Sequence, residues 1–176
     1  MRRHNILIFS LICLFVLFRG ESFSQASQAT ATGHIIAEVV STFSATETSQ
    51  LNFGRFAPGP QGGEIILTPE SSISVLGSVY AGYGVHNAAA FEVTGDTDAA
   101  FTVSLPSEPV ILTNISNSKT MRVENWNSIP AEGLGAGKLR NGSQIVYVGA
   151  TLKVGSTDEN PVGIYAGTYT ISFDFN

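Results

Sequence analysis

The 176-residue sequence has a single cysteine, Cys13, and no long apolar run. Cys13 lies in an apolar stretch at residues 6–18 that we expect to be removed on export. The exported chain then has no disulfide, no thiol nucleophile and no cysteine-ligated metal. A membrane-crossing helix needs about 20 apolar residues, and no stretch outside residues 6–18 is as apolar or as long. We therefore expect no transmembrane segment.

The first 24 residues have the features of a secretory signal peptide. Arg2 and Arg3 precede the apolar stretch, and Ser22 and Ser24 place small residues just before a cleavage point at Gln25. This segment contains three of the 9 basic residues and one of the 14 acidic residues, so its removal leaves 6 and 13, a net charge of −7. Such an acidic chain lacks the basic surface that binds nucleic acid.

The remaining sequence divides into a leader and one domain. Residues 25–32 are rich in Ser, Thr, Ala and Gln and predict a flexible leader, whereas residues 33–176 contain short segments rich in β-branched and aromatic residues. The predicted strands cover residues 34–40, 51–56, 63–68, 73–79, 89–94, 100–105, 110–114, 121–126, 144–154 and 164–175.

These short segments indicate an all-β fold. Several alternate apolar and polar residues, which is typical of strands with one buried face, and none has a sustained helical period. Four glycine and proline positions predict a loop over residues 129–140, and Asn141 and Gly142 predict a tight hairpin turn. The spacing favours an immunoglobulin-like antiparallel β-sandwich in a single domain.

The side chains of this domain do not form a recognisable catalytic or metal-binding pattern. His34 and His86 have no evident partner and no G-x-S-x-G motif accompanies them, so we expect no enzyme, no cofactor and no bound metal. Asp96 and Asp98 fit an ordinary turn or two oxygen ligands of calcium. Trp126 fits a half-buried core position or an exposed platform for sugars.

Several motifs in a fixed order carry a family resemblance. They are LNFG at residues 51–54, GG at 62–63, AFEVTG at 90–95, VSLP at 103–106, VGATL at 148–152 and GIYAGTY at 163–169. With them the chain resembles the bacterial secreted family catalogued as domain of unknown function family 4402, over about residues 33–176. The resemblance implies a β-sandwich and a bacterial location that is secreted, periplasmic or at the cell surface.

The C-terminal strand is similar to that of pilin subunits handled by periplasmic chaperones. Gly163 is fourteenth from the end, Phe175 is next to last, and the residues between them alternate in character. The resemblance implies a strand that pairs with another chain by β-strand addition, although an ordinary last strand of a sandwich would alternate too. The candidate assembly residues, whose large side chains we expect to be buried, are Gly163, Tyr165, Gly167, Tyr169, Ile171, Phe173 and Phe175.

These patterns predict a non-enzymatic structural or adhesive protein of the bacterial envelope. We expect it to be pilin-like and to act through strand-edge or face contacts. Its expected partners are other envelope or pilus-like subunits or a periplasmic chaperone, and not nucleic acid. The alternative is a monomeric extracellular binding module that recognises a glycan or a protein through its loops.

Overall fold

The computed structural model describes residues 28–39 and 42–175. The predicted signal peptide lies outside these residues, as do residues 25–27 of the predicted leader. The chain divides into two units, the first ending at Glu38 and the second starting at Val39. In the first unit, residues 28–38 have no regular secondary structure. The strand predicted over residues 34–40 is therefore absent over residues 34–39, because a strand forms only beside a hydrogen-bonded neighbour.

The described part of the second unit contains strands and no helix. All strand pairs are antiparallel, so the predicted all-β, sandwich-type class is confirmed. The strands are β1 Ser44–Ser49, β2 Phe56–Leu67, β3 Ile73–Ala81, β4 Ala89–Thr94, β5 Ala100–Ser104, β6 Val110–Asn114, β7 Thr120–Ile129, β8 Gly133–Lys138, β9 Ser143–Val154, β10 Tyr165–Ala166 and β11 Ser172–Phe175.

The long strand β9 organises the larger sheet, whose main order is β1-β4-β9-β7-β6-β10. Its first half pairs with β4, from Ser143 to Val148, and its second half pairs with β2, from Ala150 to Val154. Strand β3 continues the sheet beyond β2. Along its other edge β9 pairs with β7. The large sheet therefore has two arms beside one shared central strand.

A smaller sheet, in the order β11-β5-β8, packs over one part of the large sheet. Its middle strand buries Phe101 and Val103 in alternation. Strand β8 corrects the prediction of a loop over residues 129–140. Glycine is suited to this strand because the ring of Phe101 lies directly against Gly137, where any side chain would clash with it.

The hairpin turn predicted at Asn141 and Gly142 is confirmed. Both residues have positive φ angles, 53° and 82°, and the flanking Arg140 and Ser143 face each other across the turn. Strand β1 was missed because its sequence, SATETS, has no apolar alternation. The predicted strand at residues 51–56 is largely wrong, since only a single bridge at Asn52 precedes the start of β2.

The buried side chains form two clusters. The first cluster lies beneath the arm of β2 and β3 and includes Ile65, Leu67, Val123 and Leu152. The second cluster lies between the large and small sheets, and its buried members are Ala89, Val93, Phe101, Val103, Leu139, Val146 and Val148. Leu51 and Trp126 pack against both clusters, so they connect the two parts of the core.

Candidate functional site

The C-terminal segment passes from one sheet to the other. Strand β10 pairs with β6 in the large sheet, and β11 pairs with β5 in the small sheet. Between them, residues 167–171 belong to no β-ladder of the described chain. The predicted strand over residues 164–175 is therefore two short strands joined by a stretch that pairs with no strand in a ladder of the described chain.

The burial of this segment follows the predicted alternation only in part, and it is lower than predicted. Tyr165, Tyr169, Ile171 and Phe173 are half-buried, whereas the intervening residues are exposed. Phe175 is 47% exposed and its ring packs edge-on against Phe43. The large side chains remain partly accessible because the segment crosses the gap between the sheets, where only one side of it is covered.

Two of the candidate residues are glycines that approach strand β6 closely. A side chain at Gly167 would place its Cβ 2.5 Å from the carbonyl oxygen of Ile111. A side chain at Gly163 would clash with the amide group of the buried residue Asn114. The glycines therefore serve the packing of this segment against β6, a role that follows from the fold.

An open cleft of about 1280 Å³ lies beside the C-terminal segment. One rim consists of residues 50–58 and the other of residues 161–169. The small sheet packs over the second cluster, whereas the floor of this cleft is lined by members of the first cluster and by side chains packed against it. The floor residues are Leu112, Met121, Val123, Trp126 and Leu152. Such a cleft, apolar with a polar rim, is the usual form of a binding site.

Polar contacts hold both rims in place. On the first rim, the Asn87 Nδ2 amide donates a hydrogen bond to the carbonyl oxygen of Gln50 at 2.6 Å, and Asn52 Oδ1 accepts one from the backbone N–H of Gly54 at 2.8 Å. On the second, the Tyr165 hydroxyl donates to the carbonyl oxygen of Pro161 at 2.9 Å. These anchors give the cleft a defined shape without regular secondary structure.

The second rim is also tied to the large sheet through Asn160, which is buried. Its side-chain oxygen accepts a hydrogen bond from the backbone N–H of Gly155 at 2.5 Å, and its Nδ2 donates to the carbonyl oxygen of Thr120 at 2.8 Å. The motif at residues 163–169 covers most of this rim, but no motif includes Asn160. Short polar residues in an irregular loop resemble ordinary turn residues, so sequence reasoning did not find it.

Trp126 and Tyr169 meet at the cleft. Their rings lie 4.7 Å apart between centroids, and the ring of Phe91 meets Tyr169 edge-on at 6.3 Å. Trp126 is half-buried, which agrees with one of the two sequence-based interpretations. The Trp126 Nε1 and Tyr169 Oη atoms are both buried without a hydrogen-bond partner in the described chain.

The environment of Tyr169 disfavours its ionised form. Burial raises the pKa of the Tyr169 hydroxyl, and the negative charge of Glu47 on the neighbouring strand β1 raises it further. The hydroxyl is therefore a neutral donor at physiological pH. An unpaired buried polar group costs free energy. A molecule in the cleft that accepted a hydrogen bond from the Tyr169 hydroxyl would therefore gain stability from that contact.

The two aspartates weighed for calcium lie away from this cleft. Asp98 forms an ion pair with Lys138 at 3.3 Å, between the turn after β4 and strand β8. Among the described residues no group of three His, Cys, Asp or Glu side chains is placed to hold a metal ion. The structure therefore uses Asp98 as a surface ion-pair partner of the small sheet.

Comparison with known proteins gives a family for the chain. No curated protein and no solved structure matches it. In the part of the chain that the structure describes, no helix is long and apolar enough to span a bilayer. A sequence model of one family matches residues 43–175, which include the whole sandwich and both rims of the cleft. The chain belongs to that family, the domain of unknown function DUF4402, as its ordered motifs predicted.

Proposed function

We propose that this protein is an exported, non-enzymatic structural or adhesive component of the bacterial envelope. It is pilin-like in using the edge of its C-terminal strand to contact other surface components. The signal-like N-terminus supports export, and the family resemblance supports a bacterial setting. Its partners are other envelope or pilus-like subunits, or a chaperone that covers the same edge before assembly.

The observation that carries this proposal is the extended stretch at residues 167–171. Its backbone belongs to no ladder in the described chain, while its side chains alternate between half-buried and exposed positions. An extended backbone with unpaired N–H and C=O groups is a template for another strand. Pairing with a second chain would satisfy those groups and cover the partly accessible aromatic row in one step.

A proline substitution tests the use of this edge. Proline removes a backbone N–H, and neither Thr168 nor Thr170 donates that N–H to a ladder within the described chain. Thr168→Pro and Thr170→Pro should therefore leave the fold intact but block strand pairing. Thr168→Val and Thr170→Val are the matched controls, because they change the same exposed side chains and keep the N–H.

Size-exclusion chromatography of the protein purified from the cell envelope provides the measurement. We expect ladders or stable complexes for the native protein and the valine variants, and a loss of those species for at least one proline variant. A clean monomer in every sample would contradict the proposal and favour the binding-module alternative. Equal complexes in all variants would show that the partner uses another surface.

A further inference from the structure

An apolar segment that precedes strand β1 is exposed to solvent and has no neighbouring strand in the described chain. Residues 35–39 read Ile-Ile-Ala-Glu-Val, and Ile35, Ile36 and Val39 are 97%, 93% and 97% exposed. β-branched residues of this kind favour strands, and large apolar side chains that stay in water are costly. The segment has the composition of a strand without the neighbours that a strand requires.

The cleft offers what this segment lacks. Its floor is lined by members of the first cluster and by apolar side chains packed against it, and one rim continues into the five residues 167–171, which belong to no ladder in the described chain. Residues 35–39 are also five in number. At about 3.3 Å per residue, an added strand of five residues spans about 16 Å, the length of the unpaired stretch.

Two buried polar atoms of residues that line the cleft lack a hydrogen-bond partner in the described chain, and a small movement of their rings on binding would let a peptide pair with them. Trp126 Nε1 can only donate a hydrogen bond, and the neutral Tyr169 hydroxyl can also donate. An extended peptide carries a backbone carbonyl at every residue, so it supplies acceptors to such donors while its side chains fill an apolar floor. A purely apolar occupant would leave both atoms unpaired.

Building on the assembly role proposed above, we infer that residues 35–39 of a second copy of this chain add as a strand in the cleft. In an extended conformation Ile35, Ala37 and Val39 project to one face, toward the floor, and Ile36 and Glu38 project to the other. Each copy then supplies one strand and one cleft. Because the donated and accepting surfaces differ, the contact repeats from copy to copy and generates a chain of subunits.

Two aspartate substitutions on adjacent residues test the assignment and its register. Ile35→Asp buries a charge against the floor, so we expect self-association measured by light scattering over a concentration series to weaken about 100-fold. Ile36→Asp places the same charge on the opposite face and should change association less than about threefold. Equal effects of the two variants, or none, would overturn the inference.

The cleft side is tested by Tyr169→Phe, which removes one of the unpaired atoms. We expect association to weaken about fivefold, the value of one hydrogen bond, while the melting temperature of the dilute protein does not fall. A synthetic peptide of residues 33–40 in excess should dissociate the native assembly to monomers. The same peptide with Asp at position 35 is its control. Failure of both peptides would contradict occupation of the cleft by this segment.

Disulfide trapping between separately tagged copies distinguishes exchange between chains from closure within one chain. The only natural cysteine, Cys13, lies in the predicted signal peptide, so in the exported protein only the introduced cysteines can form a disulfide. Glu38 and Thr168 both lie on the outward face of the inferred strand pair, so Glu38→Cys in one copy and Thr168→Cys in the other should give a mixed disulfide dimer on oxidation. Thr102 on the small sheet, changed to cysteine instead of Thr168, should not. A bond formed only within a single chain carrying both Glu38→Cys and Thr168→Cys would refute the second copy as donor.

The outcomes also separate this inference from the proposed function. If Thr168→Pro or Thr170→Pro abolishes complexes and Ile35→Asp does not, the edge works in assembly and its occupant is another component. If neither the proline variants nor Ile35→Asp alters any complex, both proposals fail. Loss of association in Ile35→Asp, with Ile36→Asp unaffected, supports both.

Discussion

The two halves of the core differ in how they are covered. The second cluster lies between two sheets, and its central ring, Phe101, is fully buried. The first cluster has a sheet on one side and, on the other, the cleft with its two irregular rims at residues 50–58 and 161–169. The half around the second cluster, the closed half, is thus a complete sandwich. The half around the first cluster, the open half, is missing part of its second layer.

This difference shows where stability and function are separated in the molecule. The members of both clusters are buried, but the partly buried side chains packed against the first cluster, such as Leu112, Trp126 and Tyr165, line the cleft and are available to a partner. Leu51 and Trp126 contact both clusters, so the open half is supported by the closed half. We expect substitutions to act mainly on folding in one half and mainly on association in the other.

The largest predicted effect is the loss of the central ring of the closed half. Phe101→Ala should lower the free energy of unfolding by about 3–5 kcal/mol, because it leaves a cavity between two sheets. Met121→Ala at the cleft floor should cost only about 2 kcal/mol, since water enters the space from the cleft. Urea unfolding of both variants measures the difference. Equal losses would show that the two halves are equally closed.

The next prediction concerns the strand that joins the halves. Phe173 is half-buried against Phe91 and Phe101, at ring-centroid distances of 5.8 and 6.2 Å, whereas Ser172 is exposed. Phe173→Asp should destabilise the protein by about 2–3 kcal/mol, and Ser172→Asp by no more than about 0.5 kcal/mol. Thermal melting decides between them. Similar melting temperatures would mean that the register of β11 is wrong.

A smaller effect, of opposite sign, is predicted at the cleft. Tyr169→Phe removes a buried hydroxyl without a partner in the described chain, so the dilute protein should be unchanged or up to about 1 kcal/mol more stable.

The pKa of Tyr169 is raised, so the contribution of its neutral hydroxyl to stability is present below the ordinary pKa of 10.0 and is lost as pH rises above it. The native protein should therefore lose stability above about pH 10, more steeply than Tyr169→Phe. A parallel decline would indicate that Tyr169 ionises normally.

The smallest predicted effect lies on the outer face of the large sheet, away from both clusters. There Lys153 of β9 pairs with Glu64 of β2 and with Glu124 of β7, the latter at 3.2 Å. The hydrogen bond to Glu64 raises the pKa of the Lys153 ammonium above 10.5.

The contribution of this ammonium to stability is therefore present at neutral pH and is lost only in alkaline solution. The difference in melting temperature between the native protein and Lys153→Gln should be small and should vanish as pH rises above about 10.5. A difference that persists there would assign the effect to packing.

The closed half was largely predictable from the sequence. Strands β4 and β5 alternate apolar and polar residues, and Asn141 and Gly142 are typical residues of a tight hairpin turn. Strand β8 was not predictable, because it has no apolar alternation and its Gly137 is fitted to the ring of Phe101. That fit depends on a residue 36 positions earlier in the chain, which local propensity does not contain.

The candidate site was predictable only in part. The alternation of the C-terminal segment agrees with the half-buried positions of Tyr165, Tyr169, Ile171 and Phe173, but not with the exposed position of Phe175. The cleft itself was not foreseen, since it exists because the small sheet ends before it covers β7 and β2. Its first rim, residues 50–58, has apolar residues that predicted a strand, but only Asn52 makes a bridge before β2 begins. Where a second layer stops is decided by tertiary packing.

Amide hydrogen exchange at residues 167–171 tests most directly whether the open half accepts a strand. In dilute monomeric protein these amides should exchange rapidly, while the amides of β5 stay protected. In concentrated or assembled protein, exchange at residues 167–171 should slow by at least about tenfold, and the amides of residues 35–39 should become protected in parallel. Protection of residues 167–171 already in the monomer, or no change on assembly, would contradict strand addition at this cleft.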